Sequence, residues 1–445
     1  MVNPSGPFPG PLPPAGEEAP PDAASGSQVA SAEQPGAGAG VVHRRHVFFI
    51  AGFDPKSERW YHALVRSQAR RQAAVNGMTI EVDKARRAAG PHATAWGMRG
   101  QGPQGADPVD TTFELLQWDD IVRSHWSPSP GRVVFDGLRT VLFGLRDGAV
   151  QRMYRLFRPP VYAVFFPLVV LAMCAVLAVL AGGVVARGLV SAAGLPAAAA
   201  AALGIVTAAL LAWLALRGVH RIHITWLLRL VRFTHLQATG RVPRLDERLG
   251  EFADRIGEVR GTGGVDEVLV VGHSVGATLA IQVLARALEA DPALGEAGPG
   301  TGPVAFLSLG HCIPLLSALS PAAALRRDLA RVAGSSIDWL DVSAPIDWAA
   351  FPGVDPVAGA GLAAAPSGWH PRLMSPRFHL LFGEQAYARL KRNRFQVHLQ
   401  YLMASERAGP YDLFAITAGP RSLRARFDDD ASPRDGDTLP QTPSP

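Results

Sequence analysis

Residues 265–290, VDEVLVVGHSVGATLAIQVLARALEA, decide how this chain is read. The run DEVLVV (266–271) has the branched apolar content of a short buried strand. The run ATLAIQVLARALEA (277–290) carries a Leu/Ala face at helical spacing. Between them stands Gly272-His273-Ser274-Val275-Gly276, the G-x-S-x-G spacing. In a chain with 46 glycines that pattern means little alone, and its place at a strand–turn–helix junction is what gives it chemical content. A sharp turn there lifts the serine side chain above the sheet edge, where a histidine can take its proton. Glycine on both sides lets strand and helix backbones approach the turn without a Cβ clash. The start of the helix also directs its positive dipole end toward a developing oxyanion.

Working outward, HVFFIAGF (46–53) predicts a buried strand entering a tight loop, and 57–75 predicts a helix with Trp60, Leu64 and Val65 on one side. Short strands are expected at 78–82, 92–98 and 111–122, then at 304–310 and 336–344. Helices are expected at 244–261, around 322–333, and near EQAYARLKRNRF (384–395) and VHLQYLMAS (397–405). Strands alternating with helices point to an α/β layered domain, split into parts at 41–159 and 218–427. Residues 1–40 are rich in Pro, Gly, Ala and Ser without apolar periodicity, and 428–445 resemble them. Both are expected to be disordered, because too little apolar surface is present to offset the entropy of ordering.

The two parts are separated by a composition change at 160–217. Residues 161–186 carry no charge and exceed the roughly 20 apolar residues a bilayer span needs. Residues 197–216, richer in Ala, form a second candidate span. Arg146, Arg152, Arg155 and Arg158 precede the first, and Arg217, Arg221, Arg229 and Arg232 follow the second. Arg187 is alone between them. Arginine-rich flanks are retained on the cytoplasmic side, so the two parts of the domain and both termini are expected there, with the hairpin tip outside. HITWLLRLVRFTHL (223–236) is expected to form a helix lying along the membrane surface.

Several function classes are excluded by composition. The net charge of +5 is modest, and no dense basic run interleaved with aromatics marks a nucleic-acid partner. With only Cys174 and Cys312, a disulfide framework is out of reach, and no Cys/His pair has zinc-ligand spacing. The start of the chain has no charged segment followed by an apolar core, so no secretory signal is expected.

GHSVGA (272–277) is similar to the elbow of bacterial lipases and esterases in the α/β-hydrolase superfamily. One lipase class has GHSLGG there, from which Ala277 departs. The resemblance covers about residues 46–420 apart from the hairpin. It implies a mostly parallel sheet flanked by helices, here with an inserted two-helix transmembrane hairpin, and Ser274 as nucleophile. In that superfamily the acid and then the base follow the nucleophile in the chain. The acid stands in a loop after a strand, so Asp347 fits best, Asp341 next and Asp355 third, with Asp338 inside the strand itself. For the base, His398 lies late, between a strand-like FQV and a helical stretch, and His379 is second. His311 precedes every candidate acid, and His370 completes the set. The oxyanion donors implied are the N–H of Val275 and one from FIAGFDP, at Gly52 or Phe53. The activity implied is Ser-His-Asp cleavage of acyl esters, lipase- or esterase-like, without metal or cofactor, on a lipid-like substrate beside the bilayer. An acyltransferase with the same triad, or a non-catalytic membrane scaffold on the same fold, are the alternatives.

Overall fold

The computed structural model describes residues 40–103, 107–127, 129–221, 226–363 and 369–428. The end segments expected to be disordered lie outside these residues, save Gly40 and Asp428. Nine strands form one sheet: β1 (Arg44–Ile50), β2 (Thr79–Val82), β3 (Arg86–Arg87), β4 (Ala93–Gln101), β5 (Val109–Leu116), β6 (Glu267–His273), β7 (Val304–Leu309), β8 (Asp338–Val342) and β9 (Arg372–Met374). Their order is β2-β4-β5-β1-β6-β7-β8-β9, with β3 beside β4. From β5 to β9 along this path every pairing is parallel, while β4 runs antiparallel to β5, β2 and β3.

The central strands are apolar throughout because both of their faces are covered, as parallel sheets require. Alternation sends Phe48, Ile50, Val268, Val270 and Phe306 to one face and Val47, Phe49, Leu269, Val271 and Leu307 to the other. Helices Pro243–Thr262, Val275–Ala290 and Ala323–Ala333 cover the first face through Phe252, Ile281 and Leu329. Helix Glu58–Asn76 and the segment 394–418 cover the second through Leu64, Val397 and Phe414. The result is an α/β protein with a mostly parallel mixed sheet between helical layers.

Three sequence expectations change. The stretch 111–122 is not one strand: β5 ends at Leu116, Trp118 turns inward to donate from Nε1 to the Ala51 carbonyl (2.9 Å), and Asp119–Ser124 is helical. Asp119 and Asp120 suit the positive first turn of that helix. Helices Pro130–Arg146 and Ala149–Leu156 occupy a stretch for which no element is expected from sequence. The helix expected along the membrane surface is observed at Trp226–Ala238, but Leu228, Leu230 and Phe233 are buried in the domain core. Residues 222–225 of that expectation lie outside the described residues.

The connection from β5 to β6 crosses from one side of β1 to the other and carries the apolar hairpin. Its helices, Arg158–Ser191 and Ala197–Arg221, are both long and apolar enough to cross a membrane, with mean hydropathy of 2.9 and 2.2 over their most apolar windows. They pack antiparallel where Gly182 and Gly204 face each other: a Cβ on Gly182 would lie 2.4 Å from the Gly204 carbonyl oxygen. Small residues opposite each other are what let two apolar helices approach this closely.

Candidate active site

The carboxyl ends of β1, β6, β7 and β8 lie about the point where the strand order reverses, the chain leaving β1 toward the β5 side and β6 toward β7, a position that favours ligand sites in open α/β sheets. Ser274 stands between β6 and the helix Val275–Ala290 with φ +59° and ψ −123°, a left-handed conformation unusual for a residue with a Cβ. The turn is held by close approach on both sides. A Cβ on Gly276 would lie 2.0 Å from the Ile50 carbonyl oxygen, and one on Gly272 would lie 2.5 Å from Ala277 Cα. Both positions therefore require glycine.

A loop and a helix complete the arrangement. Asp347 follows β8 in a loop, and His398 comes from the short helix Arg394–Leu399. FQV before His398 is thus helical, not strand-like: the Asn393 side chain caps this helix by accepting from the Gln396 N–H. Ser274 Oγ lies 2.8 Å from His398 Nε2, and His398 Nδ1 lies 2.8 Å from Asp347 Oδ2. With the proton on Nδ1, the imidazole donates to Asp347 and accepts from the Ser274 hydroxyl. Asp347 is fully buried, and its Oδ1 accepts from the Ala349 N–H at 3.0 Å.

The other candidates lie elsewhere. Asp341 accepts from the Ser308 and Ser343 hydroxyls (2.6 and 2.9 Å), and burial raises its pKa. Asp355 caps the helix Pro356–Gly359, and Asp338 pairs with Arg424. His379 is exposed beside Tyr387, His370 precedes Pro371 at the start of β9, and His311 is buried 3.9 Å from Asp341. Of the expected oxyanion donors, Val275 begins the helix directly after Ser274. Gly52 abuts the serine, since a Cβ there would lie 3.0 Å from Ser274 Cβ. The ring of Phe53 turns away to stack with Trp126 and pack on Phe233. Its backbone stays at the site, where its carbonyl accepts from Trp226 Nε1 at 3.1 Å.

Tyr401, Cys312, Asp54 and Lys56 were not legible as site residues, and His273 of the elbow makes a contact that was not. The Tyr401 hydroxyl donates to Asp347 Oδ2 (3.0 Å) and accepts from the Ala344 N–H (2.8 Å); burial and the adjacent carboxylate push its pKa well above normal. Tyr401 lies three residues after His398, and reading 394–402 as continuous helical turns would have placed both on one side. His273 donates from Nε2 to the His398 carbonyl (2.8 Å). Burial and the nearby His398 lower its pKa to about 3, so it stays neutral and fixes the backbone that carries His398. Cys312 Sγ sits 3.4 Å from Ser274 Oγ and donates to the Ala349 carbonyl; burial pushes this thiol up to about 12, keeping it protonated. Asp54 pairs with Lys56 at 3.1 Å beside the site. Burial raises the acid and lowers the amine, and each partner's charge opposes the other's shift.

The cavity over Ser274 measures only about 20 Å³ and is bounded by Phe53, Asp54, Tyr61, Trp226, Phe395 and Leu399, among others. That is room for about one water, not for an acyl chain. Among the described residues no cluster of His, Cys, Asp or Glu could hold a metal ion. Comparison of the chain with protein-family models, curated proteins and solved structures finds no match. The chemical reading therefore rests on this geometry.

Proposed function

We propose that this protein is a membrane-anchored serine hydrolase of the α/β-hydrolase type that cleaves acyl esters. The observation that carries the reading is the continuous hydrogen-bonded chain from Asp347 through His398 to Ser274, with the serine on a strained turn at a helix start. Ser274 Oγ attacks the ester carbonyl as its proton passes to His398 Nε2. Buried Asp347 stabilises the imidazolium and keeps its ring oriented, and Tyr401 holds the carboxylate in turn. The tetrahedral oxyanion receives the Val275 N–H and one from Gly52 or Phe53, aided by the helix dipole. His398 then protonates the departing alcohol, leaving an acyl group on Ser274. Water, deprotonated by His398, attacks that acyl group, and the acid leaves as the proton returns to Ser274. Entry of any acyl chain requires side chains that line this small cavity, Trp226 and Phe395 among them, to move.

The hairpin anchors this domain. By the arginine flanks it crosses the cytoplasmic membrane twice, with both parts of the domain on the cytoplasmic side. A site beside lipid points to an amphiphilic ester as substrate. The test is labelling of the membrane-embedded protein with a fluorophosphonate probe, beside Ser274→Ala and His398→Ala. Labelling lost in both variants is expected. A folded wild-type protein that takes no label would sink the reading and favour a non-catalytic scaffold.

A further inference from the structure

The helix Pro130–Arg146 has three distinct sides. Val133, Gly137, Thr140, Val141 and Gly144 are buried, and Gly137 lets Leu228 of the helix Trp226–Ala238 approach closely. Turned away from that contact is a stripe of large apolar side chains at i, i+3, i+7 and i+10: Phe135, Leu138, Leu142 and Leu145, 37–65% exposed. Arg132, Arg139 and Arg146, all exposed and seven residues apart, run along one edge of this stripe at about 100° per residue. A soluble helix normally turns charge, not leucine, to water.

The surroundings indicate what covers the stripe. The helix touches the hairpin helix Ala197–Arg221, so its exposed apolar stripe stands near the exposed apolar surface of the hairpin. Tyr154 and Tyr162, at the foot of the hairpin, are 40% and 50% exposed, with the Arg158 guanidinium 5.1 Å from the Tyr154 ring. On the returning helix Trp213 is 50% exposed beneath Arg217. Exposed aromatic rings paired with arginine at the ends of apolar helices mark the headgroup level of a bilayer. We propose that Pro130–Arg146 lies flat in this layer, its Phe135–Leu145 stripe among the upper acyl chains and its arginines on anionic headgroups. It supplies the in-plane contact expected from sequence of the helix it packs on, Trp226–Ala238. That helix packs on its inner side and brings Trp226 to the cavity over Ser274.

The proposal rests on the hairpin crossing the membrane but not on hydrolase activity, and its test separates these. The full-length protein, with Cys174→Ala and buried Cys312 retained, carries one environment-sensitive fluorophore at Leu138→Cys, Leu142→Cys, Val179→Cys or Arg71→Cys. It is reconstituted in phosphatidylcholine–phosphatidylglycerol vesicles. Probes at 138 and 142 are expected to lose emission to shallow nitroxide lipids and to be shielded from iodide. The probe at 179 is expected to be quenched by deep nitroxide lipids, and the probe at 71 by iodide alone. Iodide access at 138 and 142 would overturn the proposal. Shielding there without lipid quenching would overturn it too, because a second copy of the chain would then cover the stripe. Failure of deep quenching at 179 would remove the hairpin reading and the proposal together, whatever the serine reactivity.

Discussion

The helices Val275–Ala290 and Arg158–Ser191 are both built mainly from Ala, Leu and Val, yet they meet opposite fates. In the first, Leu279, Ile281, Val283 and Leu284 are wholly buried between β6 and neighbouring helices. In the second, Leu177, Val179, Leu180 and Val184 are 61–71% exposed, and beyond its foot, where Val161 and Val164 join the domain core, only the side facing its partner helix is covered. Apolar area left in water costs about 25 cal/mol per Å², and a soluble protein rarely leaves so large a patch uncovered. The difference teaches that apolar composition states a need for burial without saying what does the burying. For the first helix it is the rest of the protein, and for the second the proposed covering is lipid.

Four measurements would break or sharpen that contrast. The largest expected effect is chemical: Ser274→Ala should lower ester hydrolysis by about 10⁴-fold or more while leaving the protein in the membrane fraction, showing that site and anchor are separable. Loss of membrane association together with activity would show them to be one structural unit. Next, Leu284→Ala should destabilise the domain by about 2–5 kcal/mol, whereas Leu180→Ala should fall within about 0.5 kcal/mol. Denaturant titration in detergent reads both, and equal costs would erase the distinction. Third comes pH. The folded-state pKa of His273, depressed to about 3, makes its contribution to stability complete above about 6.5. As pH falls from there toward 3 the unfolded chain takes up a proton that the native domain refuses, so stability drops by about 1.4 kcal/mol per pH unit. His273→Gln should flatten that slope, and the hairpin, which has no titrating side chain between residues 188 and 216, should not contribute to it. The smallest effect is expected from Tyr401→Phe, which removes one neutral donor from Asp347 and should slow turnover about tenfold. An unchanged rate would mean that Ala349 and burial alone hold the carboxylate.

The elbow was readable because it is local. Strand, serine turn and helix are contiguous between Glu267 and Ala290, and the two glycines announce the close approach. The acid was harder to read. Asp341 and Asp347 stand six residues apart, and only the path of the chain after β8 turns Asp347 toward His398 and leaves Asp341 with two serines. His398 was nominated by its late position, although its local structure proved helical. Pro130–Arg146 was invisible beside the hairpin because its three-sided pattern has meaning only once its buried side is known.

By itself, then, the sequence determined the alternation of strands and helices, the serine turn and the two uncharged apolar stretches, since each is written in neighbouring residues through periodicity, glycine placement and hydropathy. Only the tertiary structure decided which aspartate and which histidine line up with Ser274, that Tyr401, His273 and Cys312 surround them, and that Trp226 lines the cavity. His398 lies 124 residues from the serine, and the meeting of these partners is fixed by sheet order and loop path, which no local pattern encodes.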